Sequence, residues 1–142
     1  HNMIPAMLPG DIMGHEMMGE VVEVGKGIDG KLGIGERIVV PFTIVCGECE
    51  FCKSGNAHIC INTSILGVDR DGAFSEYVAI PAKNAWINNP DIDPAYLCVQ
   101  EPLGNAIHTV LSGETKGKSF AVVGCGPIGV FAGGVAIDVG AS

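Results

Sequence analysis

The hydrophobic pattern changes period partway along the chain. Residues 20–24 are dominated by β-branched side chains and close on Gly25-Lys26-Gly27, which predicts a strand. Residues 36–40 predict a second, bounded by Gly35 and Pro41. Residues 74–80 predict a third, alternating through Phe74, Glu76, Val78 and Ile80. Strands this short, with connections rich in glycine and proline, predict a small barrel or sandwich. Residues 3–10, apolar with two prolines, read as an extended lead-in.

After Pro81 the pattern turns helical. Asp93-Pro94 supplies a helix N-cap and first position. Residues 95–112 read as helix, interrupted at Glu101-Pro102 because proline disfavours helix in the residue before it. Gly113 is a natural stop. A domain boundary is expected here, dividing residues 1–94 from 95–142. Residues 118–123 then predict a buried strand, followed at once by a glycine-rich turn and a helix to about Val139.

That turn, Gly124-Cys125-Gly126-Pro127-Ile128-Gly129, is G-x-G-x-x-G between strand and helix. The first glycine makes the tight turn, the second admits a pyrophosphate to the backbone, and the third lets helix pack on strand. Gly124, Gly126, Pro127, Ile128 and Gly129 are therefore the candidate cofactor-binding residues. A glycine-rich turn of some other α/β protein is the alternative. The confirming acidic residue would lie past Ser142. Residues 120–137 carry no charge and match a short membrane span in length, but their five glycines and Pro127 fit turn and helix better.

Between the second and third predicted strands lies a lobe with Cys46, Cys49, Cys52 and Cys60, spaced C-x2-C-x2-C-x7-C. Tight C-x2-C turns aim paired thiolates at one point, which suits a closed, structural zinc site. Disulfides or an iron–sulfur cluster are the alternatives, the former requiring strained local pairings. A closed four-thiolate site leaves no position for substrate, so any chemistry must come from elsewhere.

The chain has 142 residues and a formal net charge of −8. That charge disfavours nucleic acid, and its few, scattered basic residues disfavour a membrane surface. Six cysteines in metal-type spacing suggest a reducing compartment, hence the cytoplasm. Beginning at His1 and stopping part-way through a nucleotide-binding pattern, the chain reads as a fragment, expected to be inactive alone.

Gly14-His15-Glu16 before a strand, the four-cysteine lobe and the glycine turn occur in this order in one family: the chain resembles the medium-chain zinc-dependent alcohol dehydrogenases. The resemblance implies a mixed α/β architecture, a GroES-like β-barrel catalytic domain with a zinc lobe followed by the start of a Rossmann domain. It implies oxidation of a secondary alcohol, with NAD or NADP taking the hydride. It implies a catalytic zinc held by His15, by Glu101 and by a cysteine expected ahead of His1, with Glu16 beside it or exchanging into it. A small-molecule alcohol as substrate and a homo-oligomeric parent protein follow from the same likeness.

Residues 72–78 and 100–108 are most similar to the threonine-oxidising branch, whose product is 2-amino-3-oxobutanoate. Residues 4–7 and 37–44 are closer to the formaldehyde-dehydrogenase branch. Another alcohol or polyol dehydrogenase, or a zinc-stabilised binding module without catalysis, are the rivals. Outside the resemblance, His15 reads as a satisfied polar residue, Glu101 as a helix cap, His108 as structural, and Cys98 and Cys125 as buried thiols.

Overall fold

The computed structural model describes residues 8–28 and 30–142. The part of the predicted lead-in at residues 3–7 lies outside them. The chain divides into two compact units, one ending at Cys98 and the other running from Val99 to Ser142.

Among the described residues, the first unit is built from five very short strands. β1 (Met18–Glu20), β2 (Arg37–Val39) and β5 (Trp86–Ile87) form an antiparallel sheet in the order β1-β2-β5. Its register pairs Gly19 with Ile38 and Ile38 with Ile87. β3 (Thr43–Ile44) and β4 (Ser64–Ile65) form a second antiparallel pair. Val21, Ile38, Val40, Ile44 and Leu66 make the core, with Val78 and Ile80 packed against it. The predicted first strand is displaced towards its N-terminus: ladder pairing covers residues 18–20, and Val21 continues only through single hydrogen bonds with Glu36 and Gly35.

Residues 74–80 do not form the predicted strand. Of the alternating positions, Val78 and Ile80 pack against the core while Phe74 is exposed. The backbone spends its hydrogen bonds differently, however. Ser75 Oγ donates to the carbonyls of Tyr77 (2.7 Å) and Gly72 (3.4 Å), a local bond that competes with a ladder.

Between β3 and β4 the cysteine lobe contributes α1 (Glu50–Lys53) and a 3-10 turn, Ala57–Ile59. A second 3-10 turn, Ala82–Asn84, leads into β5. The unit ends with α2 (Pro94–Leu97), where Asp93 Oδ1 accepts from the Ala95 N–H at 2.8 Å and Pro94 takes the first position. Leu97 fills the inward place at the end of this turn, and Cys98 is left exposed rather than buried.

The second unit holds α3 (Gln100–Leu111) and α4 (Pro127–Asp138), packed on each other. α3 buries Pro102, Ala106 and Val110, one face at a spacing of four. The predicted break at Glu101-Pro102 falls earlier, before Gln100. Pro102 sits in the first turn, where a missing N–H costs least. Thr115, buried, closes the end of α3 by donating to the Val110 carbonyl at 2.8 Å.

Residues 118–123 are neither a strand nor buried. Val123 is fully exposed and Phe120 nearly half so. A parallel strand takes all its hydrogen bonds from neighbouring strands, and among the described residues none pairs with this segment. Among the described residues no helix is long and apolar enough to cross a membrane.

Candidate functional site

The lobe brings all four predicted cysteines together. Cys46 Sγ lies 3.5 Å from Cys60 Sγ and 4.0 Å from Cys52 Sγ, and Cys49 lies 3.9 Å from Cys60. A tetrahedral zinc with Zn–S near 2.3 Å requires sulfurs about 3.8 Å apart. The cluster is therefore pre-shaped for one ion, and its donor set fits a structural zinc. All six cysteines are free thiols, which removes the disulfide alternative.

The local backbone explains how so short a stretch converges. Gly47 turns the chain with φ +71°, and the N–H groups of Glu48 and Cys49 then both point at Cys46 Sγ at 3.4 Å. These two amides, Glu48 foremost, lower the Cys46 thiol to about 6. Cys49 is lowered as well, chiefly by the Cys52 amide. Cys52 is pushed up to about 12, first by desolvation and then by the Cys49 sulfur.

His15 is held by contacts that sequence reasoning missed. Gly14 (φ +99°) lies in a backbone cradle formed by residues 67–74. Ala73 N–H donates to the Gly14 carbonyl at 2.9 Å, and Gly72 and Phe74 donate to Ile12 and Met13. A Cβ on Gly72 would sit 2.3 Å from the Gly14 oxygen, and one on Gly14 only 2.6 Å from the Phe74 ring. The half-buried His15 imidazole then meets the Phe42 ring at a centroid distance of 5.5 Å. Only the glycines could have hinted at this cradle. Glu16, next to His15, is exposed.

Glu101 belongs to the other unit, in the first turn of α3, where the helix dipole favours a carboxylate. Asn105, one turn on, donates its Nδ2 to Glu101 Oε1 at 2.9 Å and fixes the side chain. Asn105 too was missed, although an i, i+4 Glu–Asn pair on a predicted helix is a readable signal. His108, taken as interior, is exposed near the end of α3.

In the glycine turn, each position has its own reason. Gly124 has φ +108°, a conformation that suits glycine. Gly126 caps α4, and a Cβ there would meet nothing within 4 Å, so the space beside its backbone is open. Gly129 is the opposite, since its Cβ would lie 2.1 Å from the Gly124 oxygen. Pro127 occupies the first position of α4. Cys125 is exposed in this turn, contrary to its reading as a buried thiol. An open cavity of about 500 Å³ in the first unit, lined by Ile12, Arg70, Asp71, Tyr77, Val78 and Ala79, contains none of the candidate residues.

Residues 2–91 match the alcohol dehydrogenase GroES-like domain. Over 124 residues the chain is 55% identical to the L-threonine 3-dehydrogenase of Caldanaerobacter subterraneus subsp. tengcongensis, covering 87% of this chain and 35% of that protein. The Bacillus subtilis L-threonine 3-dehydrogenase is 49% identical over 131 residues, covering 92% and 38%. The chain thus spans little more than a third of the length of these curated relatives. Among solved structures, an alcohol dehydrogenase from Thermus sp. ATN1 superposes with a TM-score of 0.92 at 34% identity, over 100% of this chain and 43% of that one. A zinc-binding dehydrogenase from Sinorhizobium meliloti 1021, bound to NADP, gives 0.85 at 35% identity, over 95% and 40%. The fold of the short-stranded first unit thus has its counterpart in known proteins: the chain belongs to the alcohol dehydrogenase GroES-like domain family.

Proposed function

We propose that the whole protein is a zinc-dependent, NAD(P)-linked dehydrogenase of a secondary alcohol, and that the alcohol is L-threonine. The observation that carries this reading is the 55% identity to an L-threonine 3-dehydrogenase along most of the chain. The local geometry supports it, because the chain holds both a histidine fixed in a backbone cradle and a glycine turn open at its middle position.

His15 and Glu101 are assigned as ligands of a catalytic zinc, on the family's ligand order. Zinc bound there supplies Lewis acidity towards the substrate hydroxyl. The cradle under Gly14 and the Phe42 ring keep the imidazole in one orientation, and Asn105 does the same for Glu101. Glu16 stands beside His15 as a solvent-facing carboxylate, able to exchange with it or to accept a proton.

Oxidation removes the hydroxyl proton to solvent and a hydride from the carbinol carbon. The glycine turn at Gly124, Gly126 and Gly129 would hold NAD or NADP, which would supply the hydride acceptor. Gly124 and Gly126 leave the start of α4 accessible, where N–H groups and the helix dipole favour a pyrophosphate. With threonine the product is 2-amino-3-oxobutanoate. A cytoplasmic, homo-oligomeric enzyme without nucleic-acid or membrane partners is the setting that the thiol-rich, acidic chain suits.

The test is NAD(P)H formation by the full-length protein with L-threonine, simple alcohols, polyols and hydroxymethylglutathione. L-Threonine is expected to give the highest kcat/KM. His15→Ala is expected to abolish nearly all turnover and remove one zinc, leaving the melting temperature near wild type. Turnover of a polyol in preference to threonine would move the substrate assignment, and a His15→Ala protein with normal turnover and zinc content would overturn the site.

A further inference from the structure

Two exposed side chains outside the ligand set converge on one cysteine of the lobe. Asn62, two residues after Cys60, directs its Nδ2 at Cys46 Sγ from 3.7 Å. Lys83, on the 3-10 turn Ala82–Asn84, donates its Nζ to the Cys46 carbonyl. The Lys83 stem runs along Gly47, so that a Cβ on that glycine would lie 3.5 Å from its Cδ and Nζ. Asn84, the next residue, is 3% exposed, so this turn is seated in the first unit.

Neither interaction is expected of a surface residue with nothing to hold. An exposed lysine gives up considerable rotamer freedom to stay in one place, and a lone contact with a neutral carbonyl offsets little of that. Cys46 already accepts at its Sγ from the N–H groups of Glu48 and Cys49. Its own N–H donates to Cys60 Sγ at 3.4 Å, so holding Cys46 also holds Cys60. Four thiolates around a divalent ion leave the site net negative, which an ammonium and an amide donor on its rim offset.

We propose that Asn62 and Lys83 are positioning residues of the four-thiolate site, clamping Cys46 from the lobe and from the sheet side, and that they set how slowly the metal leaves. Asn62 acts on the sulfur itself. Lys83 acts on the backbone that carries it, tying the lobe to the turn before β5. The inference rests on the zinc reading of the lobe but not on the dehydrogenase reading. Hydrogen-bonded partners of metal ligands commonly change metal affinity by about 10-fold or more when removed.

The experiment loads the protein with zinc, removes the excess, and follows zinc transfer to an excess of a chromogenic chelator. A parallel sample carries cobalt(II), whose sulfur-to-metal charge-transfer band reports the electron density on the thiolates. Asn62→Ala is expected to release zinc about 10-fold faster and to move the cobalt band to longer wavelength, because its sulfur loses a donor. Lys83→Met, which keeps the stem, is expected to accelerate release by about 5- to 10-fold with the band little changed. Lys83→Arg should restore slow release. Release within twofold of wild type in both variants, with an unmoved cobalt band, would overturn the proposal. A wild-type protein that takes up neither metal through its thiolates would remove the zinc reading and the proposal together, whatever the result with threonine.

Discussion

The cysteine lobe and the glycine turn are both short motifs, but they differ in how much of the molecule each requires. The lobe is largely local: fifteen residues carry four sulfurs to within 4.8 Å of one another, using two left-handed glycines, Gly47 and Gly55, and a few N–H···S bonds. The turn has its shape as well, with Gly129 tight against Gly124 and α4 capped at Gly126. Its strand is another matter, for residues 118–123 lie exposed without a ladder. A metal cage closes through local bonds, whereas a nucleotide site on a parallel sheet depends on strands far apart in sequence.

The largest expected effect would break the lobe. Replacing one thiolate of four should forfeit about 3 kcal/mol, a quarter of the apparent binding free energy of a structural zinc. Cys60→Ser is therefore expected to weaken zinc binding by about 100-fold. Cys60 is the buried member, so its loss should also loosen the lobe and lower the melting temperature. Zinc per chain after dialysis, together with thermal melting, checks this. Retention of one tightly held zinc in the serine variant would show that the lobe is not the metal site.

A steric test follows, at the cradle beneath His15. Gly72→Ala puts a methyl group 2.3 Å from the Gly14 oxygen, backbone against backbone, with no flexible side chain to yield. Overpacking of that kind is expected to cost about 2–3 kcal/mol, read by denaturant unfolding. Zinc at the lobe should survive, because the atoms nearest the added methyl belong to Met13, Gly14 and Gly67 and none is a cysteine sulfur. Unfolding unchanged to within about 0.5 kcal/mol would mean that the cradle is looser than its distances imply.

These cases also mark what was legible beforehand. The cysteines were readable because metal spacing is a local code, and Asp93-Pro94 because capping is local too. Of the alternating positions, Val78 and Ile80 pack against the core while Phe74 and Glu76 are exposed, and the strand itself was absent once Ser75 bonded to its own neighbours. Residues 118–123 look like a buried strand in composition, but burial is a property of the partners. His15 and Glu101 stood out only through family resemblance. Phe42, Phe74, Asn62 and Lys83 carried no signal, since each matters through a contact with a distant or unmarked position. The Glu101–Asn105 pair was within reach of helix periodicity.

Within the glycine turn, two substitutions of the same kind should part company. Gly129→Ala collides with the Gly124 carbonyl at 2.1 Å and is expected to destabilise the second unit by about 1–3 kcal/mol. Gly126→Ala meets nothing within 4 Å and has φ −76°, so it should cost only about 0.5–1 kcal/mol, the loss of a preferred cap residue. If the pyrophosphate lies where Gly126 leaves space, that second variant should nevertheless bind NADH more weakly in the full-length protein. Melting combined with cofactor fluorescence titration separates the two. Equal stability losses would put the close approach at the wrong glycine.

The smallest effect concerns the order in which the sulfurs react once metal is removed. Cys46 is held to about 6 by the amides of Glu48 and Cys49, whereas Cys52 is pushed up to about 12. At pH 7.5 the first is therefore chiefly thiolate and the second chiefly thiol, and only the thiolate attacks an alkylating agent. The sign for stability follows directly. A thiol depressed below its ordinary value of 9.0 favours the folded lobe above that value, and the contribution is lost as pH falls through about 6. Cys52, raised instead, favours the fold below 9.0 and loses its contribution as pH rises through about 12. Iodoacetamide footprinting of the metal-free protein by mass spectrometry should label Cys46 ahead of Cys52, with Cys46 labelling slowing as the pH falls through about 6 and the gap narrowing as the solution is made alkaline. Zinc should protect both. Faster labelling of Cys52 would mean that the two knuckle amides do not hold Cys46 without the metal, and that the lobe is shaped by its ion rather than before it.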